Sequence, residues 1–373
     1  MSGKREVSFS KNDSQALKGI AIFLLLCLHC FGRAWRFEGY DFVTYPFQVE
    51  TFISLNEYCR ICVSIFAFIS GYGLYLAAKK KEEEGYPMSR WIVDRYFKTM
   101  KGYWFIYLFS IVVLSFAIKG YIQNQYFEKG KACALFYIVL DFLGVSEIFG
   151  TPSLNGSWWY MGAITTYIIM IPLIVKWVKK CGFVSLIGVV IIVPRVLLKN
   201  EFLGAANIYS FVLPAIVGAI FAENDLFSKF DRLKMTGKKW IDSIIIFAVL
   251  AVCIVANIYI WLKVPYKQLW EYHFALVPIS VIFFCYKYVI SIPIFGKLLQ
   301  FLGKHSMNIF LFHTFLRSRL IHDYIYRLKY PILTVLALLG VSLAVSIIVE
   351  LLKKWIRWEK GINRIYQNIV KWL

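Results

Sequence analysis

Two histidines and a few cations are the residues of this chain whose types and spacing could do chemistry. His29 lies deep in the apolar stretch QALKGIAIFLLLCLHCFGRAW, residues 15–35, with Lys18 at its entrance. On a helix, the eleven steps from Lys18 to His29 cover about 16 Å, roughly half of a bilayer's hydrocarbon core. His313 stands in LGKHSMNIFLFHTFL, nine residues beyond Lys304, and so reaches mid-depth or beyond. Ionisable groups at membrane depth are costly and usually face a cavity where something happens. An imidazole there is suited to taking a proton from a hydroxyl near neutral pH. A lone histidine on an apolar helix is more often a hydrogen-bonded packing residue. Two at similar depth, one with a cation at its helix mouth, favour a shared reactive centre.

Other chemistries fit less well. Eight cysteines include two CxxC pairs, Cys27/Cys30 and Cys59/Cys62, with His29 inside the first. Both pairs fall in or beside apolar helical runs without the turn glycines and polar flanks of a zinc knuckle, so they read as small core thiols and no metal is expected. There is no Gly-x-Ser-x-Gly elbow, HExxH or Walker loop. Ser70, in SGYG, lacks the first glycine of an elbow and reads as a site of close helix packing.

The elements that must position these residues are membrane helices. Of 373 residues 59% are hydrophobic and 17% charged, with a mean hydropathy of +0.62, which excludes an ordinary soluble protein. Aromatic content is 18%, as expected where Trp and Tyr line interfaces and cavities. The net charge of +20 is spread between apolar runs rather than gathered on a face, so it reads as orientation charge beside anionic lipid and not as a nucleic-acid surface. No cleavable signal peptide is evident.

Spans are predicted at about 16–34, 58–78, 103–119, 157–175, 182–198, 206–222, 241–262, 270–290, 306–321 and 331–352. The segment Ser89–Trp104, with Arg90, Arg95, Lys98 and Lys101, reads as an amphipathic helix lying at the surface. Residues 132–150 are apolar but short and hold Asp141. If they do not cross, most of the 42 Lys and Arg residues fall on the side of both termini. The positive-inside rule therefore favours a single all-α integral membrane domain over 1–373. It is a bundle of about ten transmembrane helices, with both termini cytoplasmic and 132–150 re-entrant or interfacial.

Several short patterns in order resemble the acyltransferase-3 family of integral membrane acyltransferases. The first helix carries Lys18-x10-His29, where the family has Arg-x10-His. Ser70, Gly71 and Tyr72 answer its Ser-Gly-aromatic element, and Arg95-Tyr-Phe-Lys98 its Arg-x-x-Arg. Trp158, Trp159, Tyr167 and Pro172 match a Trp-rich helix start leading to Tyr and Pro. Leu302, Gly303, Ser306, Leu311, Phe312 and His313 match LG-x-x-S…LFH. Lysine at 18 and 98 keeps the charge of the family's arginines but not their bidentate geometry. The acidic residue often found within the Trp-Tyr-Pro helix has no counterpart near Ile164, leaving any acidic partner of His29 unassigned.

The resemblance implies an O-acetyltransferase of the bacterial inner membrane. Acetyl-CoA, a substrate rather than a resident cofactor, would enter from the cytoplasm. Lys18, Arg95 and Lys98 would bind its phosphates, and His29, with His313, would serve the reaction, His29 as general base. Ser70, Tyr72, Trp158, Trp159 and Tyr167 would line the cavity or its acceptor side. The acceptor would be a hydroxyl of a cell-envelope glycan or lipid-linked precursor, reached by direct transfer. The rival reading is a transporter or flippase of a polar envelope precursor, which would more typically show paired halves with broken helices.

Overall fold

The computed structural model describes residues 9–128, 130–197, 207–265 and 268–371. Among them the fold is helical, without strands. The first half comprises α1 (Lys11–Phe31), α2 (Val49–Tyr58), α3 (Ile61–Glu83), α4 (Met88–Ala117), α5 (Tyr121–Tyr126), α6 (Lys131–Phe142) and α7 (Trp159–Ile192). The second comprises α8 (Val212–Asn224), α9 (Leu226–Asp231), α10 (Lys239–Lys263), α11 (Val277–Phe284), α12 (Pro293–Phe315), α13 (His322–Tyr326), α14 (Pro331–Trp355) and α15 (Trp358–Val370). Seven helical stretches among the described residues are long and apolar enough to cross a membrane. The chain is an all-helical, multi-pass membrane protein.

Local chemistry explains the ends that matter. α1 starts earlier than the predicted 16, because Ser10 caps it. The Asp13 amide donates to Ser10 Oγ at 3.2 Å and the Ser10 amide to Asp13 Oδ2 at 2.8 Å, a reciprocal capping box. Lys18 therefore sits two turns inside the helix rather than at its mouth. At the other end, Arg36 Nη1 donates to the carbonyls of Leu28 at 2.6 Å and His29 at 3.1 Å.

Several predicted boundaries change. Ser89–Trp104 is not a separate surface helix. It is the first half of α4, with Trp91 and Met100 buried, because one face packs into the bundle. At 30 residues, α4 is about 45 Å long, longer than a hydrocarbon core, so its basic half stands beyond one edge of the core. The spans placed at 157–175 and 182–198 are two helical segments of α7 that break at Gly182, where φ is 74°, and Trp177 Nε1 donates to Ser185 Oγ across the bend at 2.9 Å. The outer ends of 182–198 and 206–222, at 198 and 206, lie outside the described residues. α6 has 12 residues, about 18 Å, too short to cross. The predicted 306–321 span is the second half of α12 and the turn after it.

Glycines bring two helix pairs into backbone contact. A Cβ at Gly19 would lie 2.2 Å from the Leu299 carbonyl oxygen, and one at Gly303 would lie 1.8 Å from that of Gln15, so α1 and α12 touch along their main chains. α3 and α8 do the same: a Cβ at Gly71 would lie 1.9 Å from the Ala215 oxygen, and one at Gly218 would lie 2.1 Å from that of Phe68. Such close approach is how membrane helices gain dispersion contacts when lipid offers no hydrophobic drive. Gln15 meets Gly303 towards one end of the first pair, while His29 meets His313 towards the other. α1 and α12 therefore run in the same direction.

Candidate active site

A cavity of about 530 Å³ opens near the start of α1 and runs between α1, α3, α4, α7 and α12. Lys18, Arg95 and Lys98 line it together with Ser70. Arg95 and Lys98 are three apart on α4, with Gly102 a turn further along the same face, so one helical stripe meets the cavity. The cavity's other cations are neutralised. Lys353 Nζ lies 2.8 Å from Glu350 Oε1, and Lys101 Nζ lies 3.2 Å from Glu359 Oε1. Among the described residues, Lys18, Arg95 and Lys98 have no carboxylate within ion-pair distance. That leaves a concentrated positive field facing the cavity, suited to a polyanion.

The inner end is closed by three rings. Phe66 and Phe310 have centroids 6.3 Å apart, Phe66 and Tyr160 6.2 Å, and Tyr160 and Phe310 5.7 Å. Tyr160 Oη is buried with Ser70 as its polar neighbour. Behind this wall lie the histidines. The His29 and His313 rings meet edge to face with centroids 4.8 Å apart, and Phe310 packs 6.3 Å from His313. His313 Nδ1 is 2.8 Å from the Phe310 carbonyl oxygen, a bond it can only donate, which leaves Nε2 as the acceptor nitrogen. Nε2 is 3.2 Å from Thr314 Oγ1. The His29 side chain makes no hydrogen bond to any described residue.

The structure thus gathers Lys18, Arg95, Lys98 and Ser70 at one cavity and His29 with His313 beyond its end wall. The four remaining candidates are elsewhere. Tyr72 packs between Phe9, Phe68 and Phe227. Trp158 is buried, donates from Nε1 to the Leu311 oxygen at 2.8 Å and stacks among Tyr103, Tyr107 and Phe315. Trp159 lies against Phe211, and Tyr167 donates to the Phe211 oxygen at 3.0 Å. These four support helix packing and do not line the cavity, because their faces of α3 and α7 turn towards neighbouring helices. Phe66, Tyr160 and Phe310, by contrast, carried no sequence signal: each is an ordinary aromatic in an apolar run.

Asp141, the carboxylate in the short apolar segment, does not serve His29. It accepts hydrogen bonds from Tyr126 Oη, from the Leu154 amide at 2.6 Å, from Ser153 Oγ at 2.7 Å, from Ser146 Oγ at 3.2 Å and from Tyr103 Oη at 3.3 Å. It ties α6 to α4, to α5 and to the loop before α7. No group of three or more His, Cys, Asp or Glu suited to a metal occurs among the described residues.

Residues 12–351 match the family described as an acyltransferase domain. No curated protein and no solved structure matches the chain. With the match covering nearly its whole length, the chain belongs to the acyltransferase-3 family of membrane acyltransferases.

Proposed function

We propose that this protein takes acetyl-CoA from the cytoplasmic side of the bacterial inner membrane and transfers its acetyl group to a hydroxyl of a cell-envelope glycan or lipid-linked precursor. The observation that carries this reading is the pairing of one cavity with two imidazoles. Three cations with no carboxylate partner among the described residues face a cavity lined by Phe310, whose ring packs against His313 of the histidine pair. A donor with phosphates at one end and a thioester at the other suits that order: phosphates on Lys18, Arg95 and Lys98, thioester at the rings. Sidedness rests on the charge distribution, and the parallel course of α1 and α12 supports the span count behind it. Parallel helices need an odd number of crossings between them, which the ten-span topology supplies when α6 does not cross.

In the reaction, His29 takes the proton of the acceptor hydroxyl as its oxygen attacks the thioester carbonyl. Tyr160 Oη, a buried donor at the inner end, stabilises the charge developing on the carbonyl oxygen. The C–S bond then breaks, and the proton passes from the imidazolium to the departing thiolate, leaving ester and free coenzyme A. The Phe310 ring must move for acceptor and thioester to meet.

The test is acetyl-CoA turnover by the purified protein in liposomes, comparing wild type with His29→Ala and Lys18→Ala. Turnover lost in the first and weakened through donor affinity in the second supports the assignment. An active His29→Ala enzyme removes that base. No coenzyme A binding and no thioester loss in wild type would return the transporter reading, to be pursued by substrate flux.

A further inference from the structure

On the far side of the histidines from the cavity lies a group of arginines that the acyl-donor reading does not use. Arg36 follows α1 and Arg317 follows His313 by four residues, which on a helical turn places it on the same face. Arg317 is only 5% exposed. The Nε atoms of Arg36 and Arg317 are both buried with no hydrogen-bond partner among the described residues. Neither guanidinium has a carboxylate within ion-pair distance among the described residues. The local carboxylate, Glu57, is already held by Arg33 and Arg60, each at 2.9 Å. Burial first, and the Arg317 charge next, push the Arg36 guanidinium down to about 10, so it remains charged at neutral pH.

Two desolvated cations side by side, each with an unused donor, are costly to keep without a counter-ion. Arg36 also grips the His29 carbonyl at 3.1 Å, so whatever it binds is held beside that ring. Arg33 and Trp35, near it in sequence, are exposed, so the group lies close to the surface away from the donor cavity. We propose that Arg36 and Arg317 form an acceptor-side subsite for an anionic oxygen group, a carboxylate or a phosphate, that steers a nearby acceptor hydroxyl onto the histidine pair. This assignment rests on the acyl-transfer reading for its purpose, though not for its ligand. Planar guanidinium groups match either anion through paired N–H donors.

The experiment uses the full chain in phosphatidylcholine vesicles with acetyl-CoA and three soluble acceptors of similar size: methyl glucoside, methyl glucuronide and glucose 6-phosphate. Wild type should favour one anionic acceptor over the neutral one by about tenfold in kcat/KM, mostly through KM. The favoured anion identifies carboxylate or phosphate as the source. Arg317→Gln should bring that ratio near one, and Arg317→Lys, which keeps charge but loses the planar fork, should retain part of it. A wild-type ratio near one, or a ratio unchanged in Arg317→Gln, overturns the subsite. If donor turnover fails altogether, the acyl-transfer reading falls on its own. The subsite is then read from the thermal midpoint, which the glucuronide or the phosphate should raise in wild type and not in Arg317→Gln. No rise with either compound overturns it.

Discussion

Lys18, Arg95 and Lys98 differ from Lys101 and Lys353 in one respect: among the described residues no carboxylate lies within ion-pair distance of them. A cation already paired contributes little to a new anion, whereas an unpaired, half-desolvated one contributes strongly. Replacing Lys18 or Arg95 with Gln should therefore raise the KM for acetyl-CoA about tenfold, with a smaller change in kcat. Lys101→Gln should change it far less, and steady-state kinetics on the three variants separates the cases. Tyr160→Phe makes the complementary prediction. It keeps the ring in the wall and removes only the hydroxyl, so kcat should fall by about tenfold to a hundredfold with donor KM nearly unchanged. At this scale the sequence was legible wherever charge or titration set a residue apart from its apolar surroundings, as for His29, His313 and the three cations. It was not legible for aromatics. Tyr72 and Tyr160 look alike in a string, and only helix rotation turns one into the core and the other towards the cavity.

The helices that carry these residues are positioned by backbone contact at glycine, so the family's short patterns acquire a mechanical meaning. Gly71 and Gly303 are the points where α3 reaches α8 and α12 reaches α1. A side chain there meets main chain, which cannot step aside. Gly303→Leu and Gly71→Leu should each prevent assembly, seen as loss of a monodisperse species in detergent. Gly340→Ala, whose Cβ would meet nothing within 4 Å, should be neutral by the same assay. The aromatic wall belongs to this scale as well, since its rings come from α3, α7 and α12. Phe310→Ala should connect cavity and histidines, giving faster acetyl-CoA hydrolysis without acceptor and turnover of longer acyl thioesters, both measurable as released coenzyme A. Sequence periodicity located most of these helices but misplaced their ends. α1 begins at a capping box rather than at the first apolar residue, and the amphipathic reading of Ser89–Trp104 missed that its polar face looks into the protein. A charged stripe has the same spacing whether water or a cavity faces it.

For the whole molecule, α6 is the test of how the chain is threaded. Its 12 residues reach only part of the way across a bilayer, and Asp141 pins it by five donors to α4, α5 and the loop before α7. Short epitope tags inserted after Lys119 and after Thr151 should both be reached from outside in spheroplasts whose inner membrane is intact. Tags on opposite sides would show that α6 crosses, reversing every later loop. Asp141→Asn removes the charge those donors converge on and should lower stability by about 1–3 kcal/mol, read from the thermal midpoint.

The parallel pairing of α1 with α12 also sets a timetable. α1 is made before the helix that completes its histidine pair, with α2 to α11 coming between them. While the ribosome builds everything between, Gly19 has no Leu299 to rest on and His29 no partner ring. A chain halted before α12 carries Lys18 and His29 but lacks the second imidazole. On the proposed mechanism, competence arrives only when α12 slots against α1, and a copy halted before α12 should stay chemically silent.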